Sequence, residues 1–126
     1  MNSLILFVRG KNWQPDTWVT LAGGSKTESG QFVLENSSSW LSVYKYDEAF
    51  DDYDEAEENL VRELIQDPIP YLIEWRGDEL LEKLISNIPA DKDVIVDNDH
   101  GLICSVSKLK GLSVRDWVCE RALSSS

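Results

Sequence analysis

Residues 4–8 read Leu4-Ile5-Leu6-Phe7-Val8, and the fold turns on how they are taken. Five apolar residues follow one another without alternation. A strand with one wet face would alternate apolar with polar; an unbroken short run suits a strand covered on both faces. Met1-Asn2-Ser3 offers no basic start, and the run leads into Arg9 with no small-residue cleavage site. It therefore reads as a strand and not as a signal peptide.

Outward from that strand, the first 46 residues read as β-structure. Thr17 to Ala22, with Trp18, Val19 and Leu21, is expected to be a strand ending at Gly23-Gly24. Gln31 to Glu35 carries Phe32, Val33 and Leu34. Trp40 to Tyr46 alternates, with Trp40, Ser42, Tyr44 and Tyr46 on one face and Leu41, Val43 and Lys45 on the other. Turn formers separate these segments: Gly10-Lys11-Asn12, Gly23-Gly24-Ser25, Gly30 and Asn36-Ser37-Ser38-Ser39. Consecutive short strands with short connections favour an antiparallel meander.

The period then changes. Asp54 with Glu57 has the form of a capping box, and Ala56, Leu60, Val61, Leu64 and Ile65 recur at helical spacing up to Asp67-Pro68. Pro70 to Trp75 is expected to be a short strand. Gly77-Asp78 opens a second helix with the apolar stripe Leu80, Leu81, Leu84, Ile85 and Ile88, ended by Pro89. Val94 to Val96 and Leu102 to Val106 read as a hairpin around Asp97-Asn98-Asp99-His100-Gly101. Ser113 with Asp116 resembles another capping box, opening a final helix through Trp117, Val118 and Ala122, with Ser124 to Ser126 fraying. The expected fold is α+β: one domain over 1–126, a mostly antiparallel sheet built from an N-terminal meander and a C-terminal hairpin, packed against about three helices.

Composition narrows the partners. The chain has 23 acidic and 12 basic residues, a formal net charge of −11 in 126 residues. Direct nucleic-acid binding needs clustered Lys and Arg, and anionic membranes reject this charge for the same reason. No stretch approaches transmembrane length. Cys104 and Cys119 are too few for a disulfide framework and lie among apolar residues, so both are expected to be buried, reduced thiols in a cytoplasmic protein.

Most candidate chemical motifs have plainer readings. Asp97, Asp99 and His100 follow an apolar strand and offer oxygen and nitrogen ligands for a small metal-dependent hydrolase or a small-molecule site. A calcium loop needs an acid eleven positions after its first ligand, where Lys108 stands instead, and Asn, Asp and Gly dominate tight turns for backbone reasons. One histidine and no cysteine cluster argue against zinc. Gly23-Gly24-Ser25-Lys26-Thr27 lacks the spacing of a phosphate loop and reads as a hairpin loop. Cys119 is expected to face a helix core. No cofactor is expected, and a scaffold subunit of a larger assembly is a further alternative.

The strongest functional signal is Asp47 to Glu58. Eight of its twelve residues are acidic: Asp47, Glu48, Asp51, Asp52, Asp54, Glu55, Glu57 and Glu58. No Lys or Arg interrupts them. Such crowding repels itself and lowers stability unless a cationic partner relieves it. From Asp47 to Glu82 there are fourteen acids against Arg62 and Arg76. One reading is that this charge only keeps the protein soluble. The other is an interface, with Tyr46, Phe50 and Tyr53 as aromatic anchors amid steering charges.

A small, acidic, single-domain α+β chain with a carboxylate cluster resembles bacterial immunity proteins of contact-dependent growth inhibition and related polymorphic toxin systems. The resemblance lies in the character of the whole chain and carries over no family residue. It implies a non-enzymatic antitoxin whose partner is a cognate toxin domain, often a basic nuclease. The expected toxin-binding residues are Tyr46, Asp47, Glu48, Phe50, Asp51, Asp52, Tyr53, Asp54, Glu55 and Glu58.

Overall fold

β1 (Asn2–Arg9) runs through the interior of a seven-stranded sheet in the computed structural model, which describes residues 2–10, 13–89 and 91–120. The other strands are β2 (Ser25–Lys26), β3 (Phe32–Glu35), β4 (Trp40–Lys45), β5 (Pro68–Arg76), β6 (Val94–Asp97) and β7 (Ile103–Ser105). They lie in the order β2-β3-β4-β5-β1-β6-β7, with every neighbouring pair antiparallel. The meander β2 to β5 and the hairpin β6–β7 therefore flank β1, which joins them. Three α-helices complete the α+β fold: α1 (Pro15–Leu21), α2 (Glu55–Leu64) and α3 (Glu79–Asn87).

Residues directly opposite one another on neighbouring strands share a face. Leu4 faces Ile73, and Leu6 faces Tyr71 on one side and Val96 on the other. Leu41 and Val43 join them through Trp75 and Ile73. This face is closed by Val19 of α1, by Leu80, Leu81, Leu84 and Ile85 of α3, and by Val106, Leu109, Val114 and Trp117 of the C-terminal turns. On the opposite face Phe7 and Ile95 meet a smaller cluster, Ala49, Val61 and Ile65, which the link between β4 and β5 brings over the sheet. The second face of β1 is thus covered at Phe7, whereas Ile5 on the same face is only half-buried.

Several expectations are corrected. Thr17 to Ala22 belongs to α1, not to a strand. Pro15 at the first helical position needs no partner for its missing N–H and has its φ already near helical. Gly23, at φ +102, turns the chain beyond the last turn, and Gly24 N–H donates to the Val19 carbonyl at 2.8 Å. A side chain at Gly24 would meet the Val33 carbonyl at 2.6 Å, so only glycine lets the helix end approach β3 this closely. Proline inside the start and glycine past the end were the legible signals; β-branched Thr17, Val19 and Thr20 masked them. The Gly23-to-Thr27 segment is then a helix exit leading into β2 rather than a hairpin loop.

The last helix is also shorter than expected. Ser113 and Asp116 do form a capping box, with Ser113 N–H donating to Asp116 Oδ2 at 3.0 Å, but it opens only a 3-10 turn, Val114–Asp116. The side-chain amide of Asn98 donates to the Trp117 and Glu120 carbonyls at 2.7 and 2.8 Å, tying the segment down as a turn. Cys104 is buried as expected, whereas Cys119 is exposed on this turn and faces no helix core. Lys11, Asn12, Ala122 and 124–126 lie outside the described residues. Among those described, no helix is long and apolar enough to cross a membrane.

Candidate functional site

The acidic segment forms two short elements laid across the sheet. Ala49–Asp52 is a 3-10 turn and α2 follows it. Asp54 caps α2: its Oδ1 accepts from Glu57 N–H at 2.8 Å, and Glu57 Oε1 accepts from Asp54 N–H at 3.3 Å. Glu55, Glu57 and Glu58 occupy the first turn, where the helix dipole favours negative charge. Local structure therefore accounts for four of the eight acids. It does not account for Asp47, Glu48, Asp51 and Asp52.

All eight carboxylates stay at the surface; only Glu58 is partly covered. Among the described residues, cationic relief is sparse. Lys45 stands 3.9 Å from Asp47 and Arg62 3.3 Å from Glu58. The Arg62 guanidinium also lies 4.7 Å above the Phe50 ring.

The aromatics of the segment turn inward. Phe50 stacks on Phe7 with centroids 5.4 Å apart, and Tyr53 meets the edges of Phe7 and Phe50 at 6.0 and 5.6 Å. Tyr53 Oη donates to the Asp97 carboxylate. Burial first, and that hydrogen bond second, raise the Tyr53 pKa well above the ordinary phenol value. Tyr46 meets the edge of Tyr44 at 6.3 Å and donates to Asp52 Oδ2 at 3.4 Å. Phe50 and Tyr53 thus build the protein's own second core.

The expected apolar stripe of α2 divides. Val61 and Ile65 are buried on Phe7 and Ile95, but Leu60 and Leu64 are 41% and 43% exposed. Ala56 is exposed as well, although sequence periodicity placed all five toward the core. The missed signal was width: a short helix over a small cluster needs only a narrow stripe.

Asp97, Asn98, Asp99 and His100 are held by backbone chemistry. Asp97 is 7% exposed, and its Oδ1 accepts from Asp99 N–H at 2.9 Å. Asn98 is fully buried; its Oδ1 accepts from His100 and Leu102 N–H at 2.8 and 3.1 Å while its amide ties down the C-terminal turn. Asp99 takes the left-handed conformation, φ +63, which Asp tolerates better than most residues. His100 is exposed and shares a shallow depression with Cys119. Among the described residues, no three His, Cys, Asp or Glu side chains are placed to hold a metal ion.

Between α2 and the uncovered half of the sheet lies a cleft of about 490 Å³. Ile5, Leu72, Tyr44 and Ile103 supply its floor from four strands; Ala49, Tyr53 and Leu60 form its wall. Asp52, Glu57, Asp97 and Asp99 bring carboxylates to it. Tyr44 and Tyr46 line it too, each with a raised pKa owed first to burial and then to a neighbouring acid, Glu74 for Tyr44 and Asp52 for Tyr46. Sequence reading had grouped Tyr46, Asp52 and Tyr53, but not Ile5, Leu72 or Ile103, which come from distant strands. Comparison of the chain with protein-family models, with curated proteins and with solved structures gives no match.

Proposed function

We propose that this chain is a non-enzymatic inhibitor of the immunity-protein kind, which binds a basic toxin domain, such as a nuclease, in the cytoplasm. One observation carries the reading: an exposed carboxylate surface over the 3-10 turn and α2, with two basic side chains among the described residues paired to it and with Leu60 and Leu64 left open beside it. Exposed charge steers encounter, while apolar contact slows dissociation. The anchors on this surface are Leu60 and Leu64, because Phe50 and Tyr53 already serve the protein's own core. Asp47, Glu48, Asp51, Asp52, Asp54, Glu55 and Glu58 face the toxin's Lys and Arg, in the place of substrate phosphates.

The test is binding to, and protection from, a toxin encoded beside this chain. Reversing Asp51→Lys, Asp52→Lys and Glu55→Lys together is expected to slow association by at least about tenfold at low salt, with a much smaller difference at high salt. Leu60→Ser is expected to speed dissociation instead. Unchanged association and protection in the triple variant would overturn the assignment of this surface.

A further inference from the structure

We propose that the cleft between α2 and the sheet is a binding site for an aliphatic cation: a guanidinium or ammonium group on a hydrocarbon stem. This goes beyond the reading above, because it requires no protein partner and none of Asp47, Asp51 or Glu55.

The size comes first. About 490 Å³ lies within the roughly 300–1,000 Å³ of typical small-ligand sites. The floor is apolar where Ile5 and Leu72 sit side by side on β1 and β5, a surface suited to a methylene stem. Tyr44 and Tyr46 set two phenol rings edge to face on one side, and ring faces attract cations.

Charge then selects among ligands of that size. Asp97 brings a carboxylate that is 7% exposed, and its hydrogen-bond donors among the described residues, Tyr53 Oη and Asp99 N–H, are neutral. Glu57 and Asp99 add negative charge, and no Lys, Arg or His is among the described residues lining the cleft. An anion is repelled here. A neutral apolar ligand would strip water from the carboxylates with nothing in return. A cation on a short stem matches both the floor and the charge.

The experiment is a titration of isotope-labelled protein followed by NMR. Butylguanidinium and butylammonium are the free cations, butylurea is the neutral isostere of the first, and the peptide Gly-Gly-Arg-Gly-Gly presents the same group on a chain. Either cation is expected to shift the Ile5 and Leu72 methyls and the Tyr44 and Tyr46 ring signals, and butylurea is not. Tighter binding of the peptide than of butylguanidinium would assign the site to a partner's side chain; the reverse would assign it to a free small molecule; both support the cleft. The double variant Glu57→Gln, Asp99→Asn is expected to weaken binding up to about tenfold, the ratio two exposed ion pairs supply together at the upper end of their range. Gln keeps the capping box and Asn tolerates positive φ, so folding is retained, which the thermal midpoint checks. No shift with any cation at millimolar concentration, equal shifts with butylurea, or unchanged affinity in the double variant would each overturn the proposal. Asp51, Asp52 and Glu55 are intact in that variant, so failure of the cleft and failure of the toxin-binding surface are read separately.

Discussion

The two faces of the sheet are built from the same strands and differ in what covers them. One face is sealed by α1, α3 and the C-terminal turns, and most of the large buried side chains, Trp75 and Trp117 among them, lie there. The other has a five-residue buried cluster under α2 and an open cleft beside it. The difference teaches a division of labour. The sealed face carries the larger core, whereas the second face carries crowded carboxylates, exposed leucines and an open cleft.

That contrast breaks if the two faces prove equally important to stability. Trp75→Ala on the sealed face is expected to cost about 3–5 kcal/mol, measured by urea denaturation. Ile65→Ala under α2 is expected near the lower end for its type, about 2 kcal/mol, because a small cluster beside solvent collapses more easily. Equal losses would show the second cluster to be as essential as the first.

Asn98 joins the hairpin turn to the C-terminal segment. Asn98→Ala leaves the Leu102 N–H and the Trp117 carbonyl without this partner, and a loss of about 2 kcal/mol is expected. Hydrogen exchange should rise in residues 113–120 before it rises in β1. Uniform exchange throughout would mean that this turn is not separately held.

Alkaline pH compares the faces through one tyrosine each. Burial, then the charges of Asp16 and Asp47, push Tyr71 on the sealed face up to about 12, and Tyr53 on the other face is raised further. The sign follows from proton binding: above the unfolded phenol value of about 10 the unfolded state loses the proton that the native state keeps. Stability is therefore full below pH 10 and falls as pH climbs toward the folded values. Urea midpoints from pH 8 to 11 should decline in the parent, and Tyr71→Phe should flatten the decline. A pH-independent midpoint would contradict both shifts.

The smallest expected effect concerns the carboxylates alone. Neutralising Asp47→Asn, Glu48→Gln and Asp51→Asn should raise stability by about 0.5 kcal/mol at low salt, since repulsion between exposed charges is modest and screened. The gain should vanish in 1 M salt, where the Debye length is about 3 Å. Destabilisation instead would mean that these acids have native partners and need no outside cation.

Much of the fold was legible because its signals are local. The unbroken run Leu4 to Val8, the Asp54–Glu57 cap, the α3 stripe and the hairpin around Asp97 each depend on neighbours a few residues away, and each holds in the structure. The errors were also local signals, overruled from a distance. Val19 is buried by the sheet as part of a helix despite a β-branched run, and Asn98 donates to the Trp117 and Glu120 carbonyls in a turn where a final helix was expected. The site was half legible. Charge density named the segment, but not that Phe50 and Tyr53 turn inward or that Leu60 and Leu64 turn out.

What the residues alone determined is an α+β chain with an apolar first strand inside its sheet and a dense stretch of negative charge. Only the tertiary structure decided that β1 lies between β5 and β6, and that Ile5, Tyr44, Leu72 and Asp97 come together around one cleft. The reason is range. Periodicity and capping act within a turn or two of the chain, whereas a cleft forms from side chains dozens of residues apart, whose meeting depends on strand order and on which face each pleat presents.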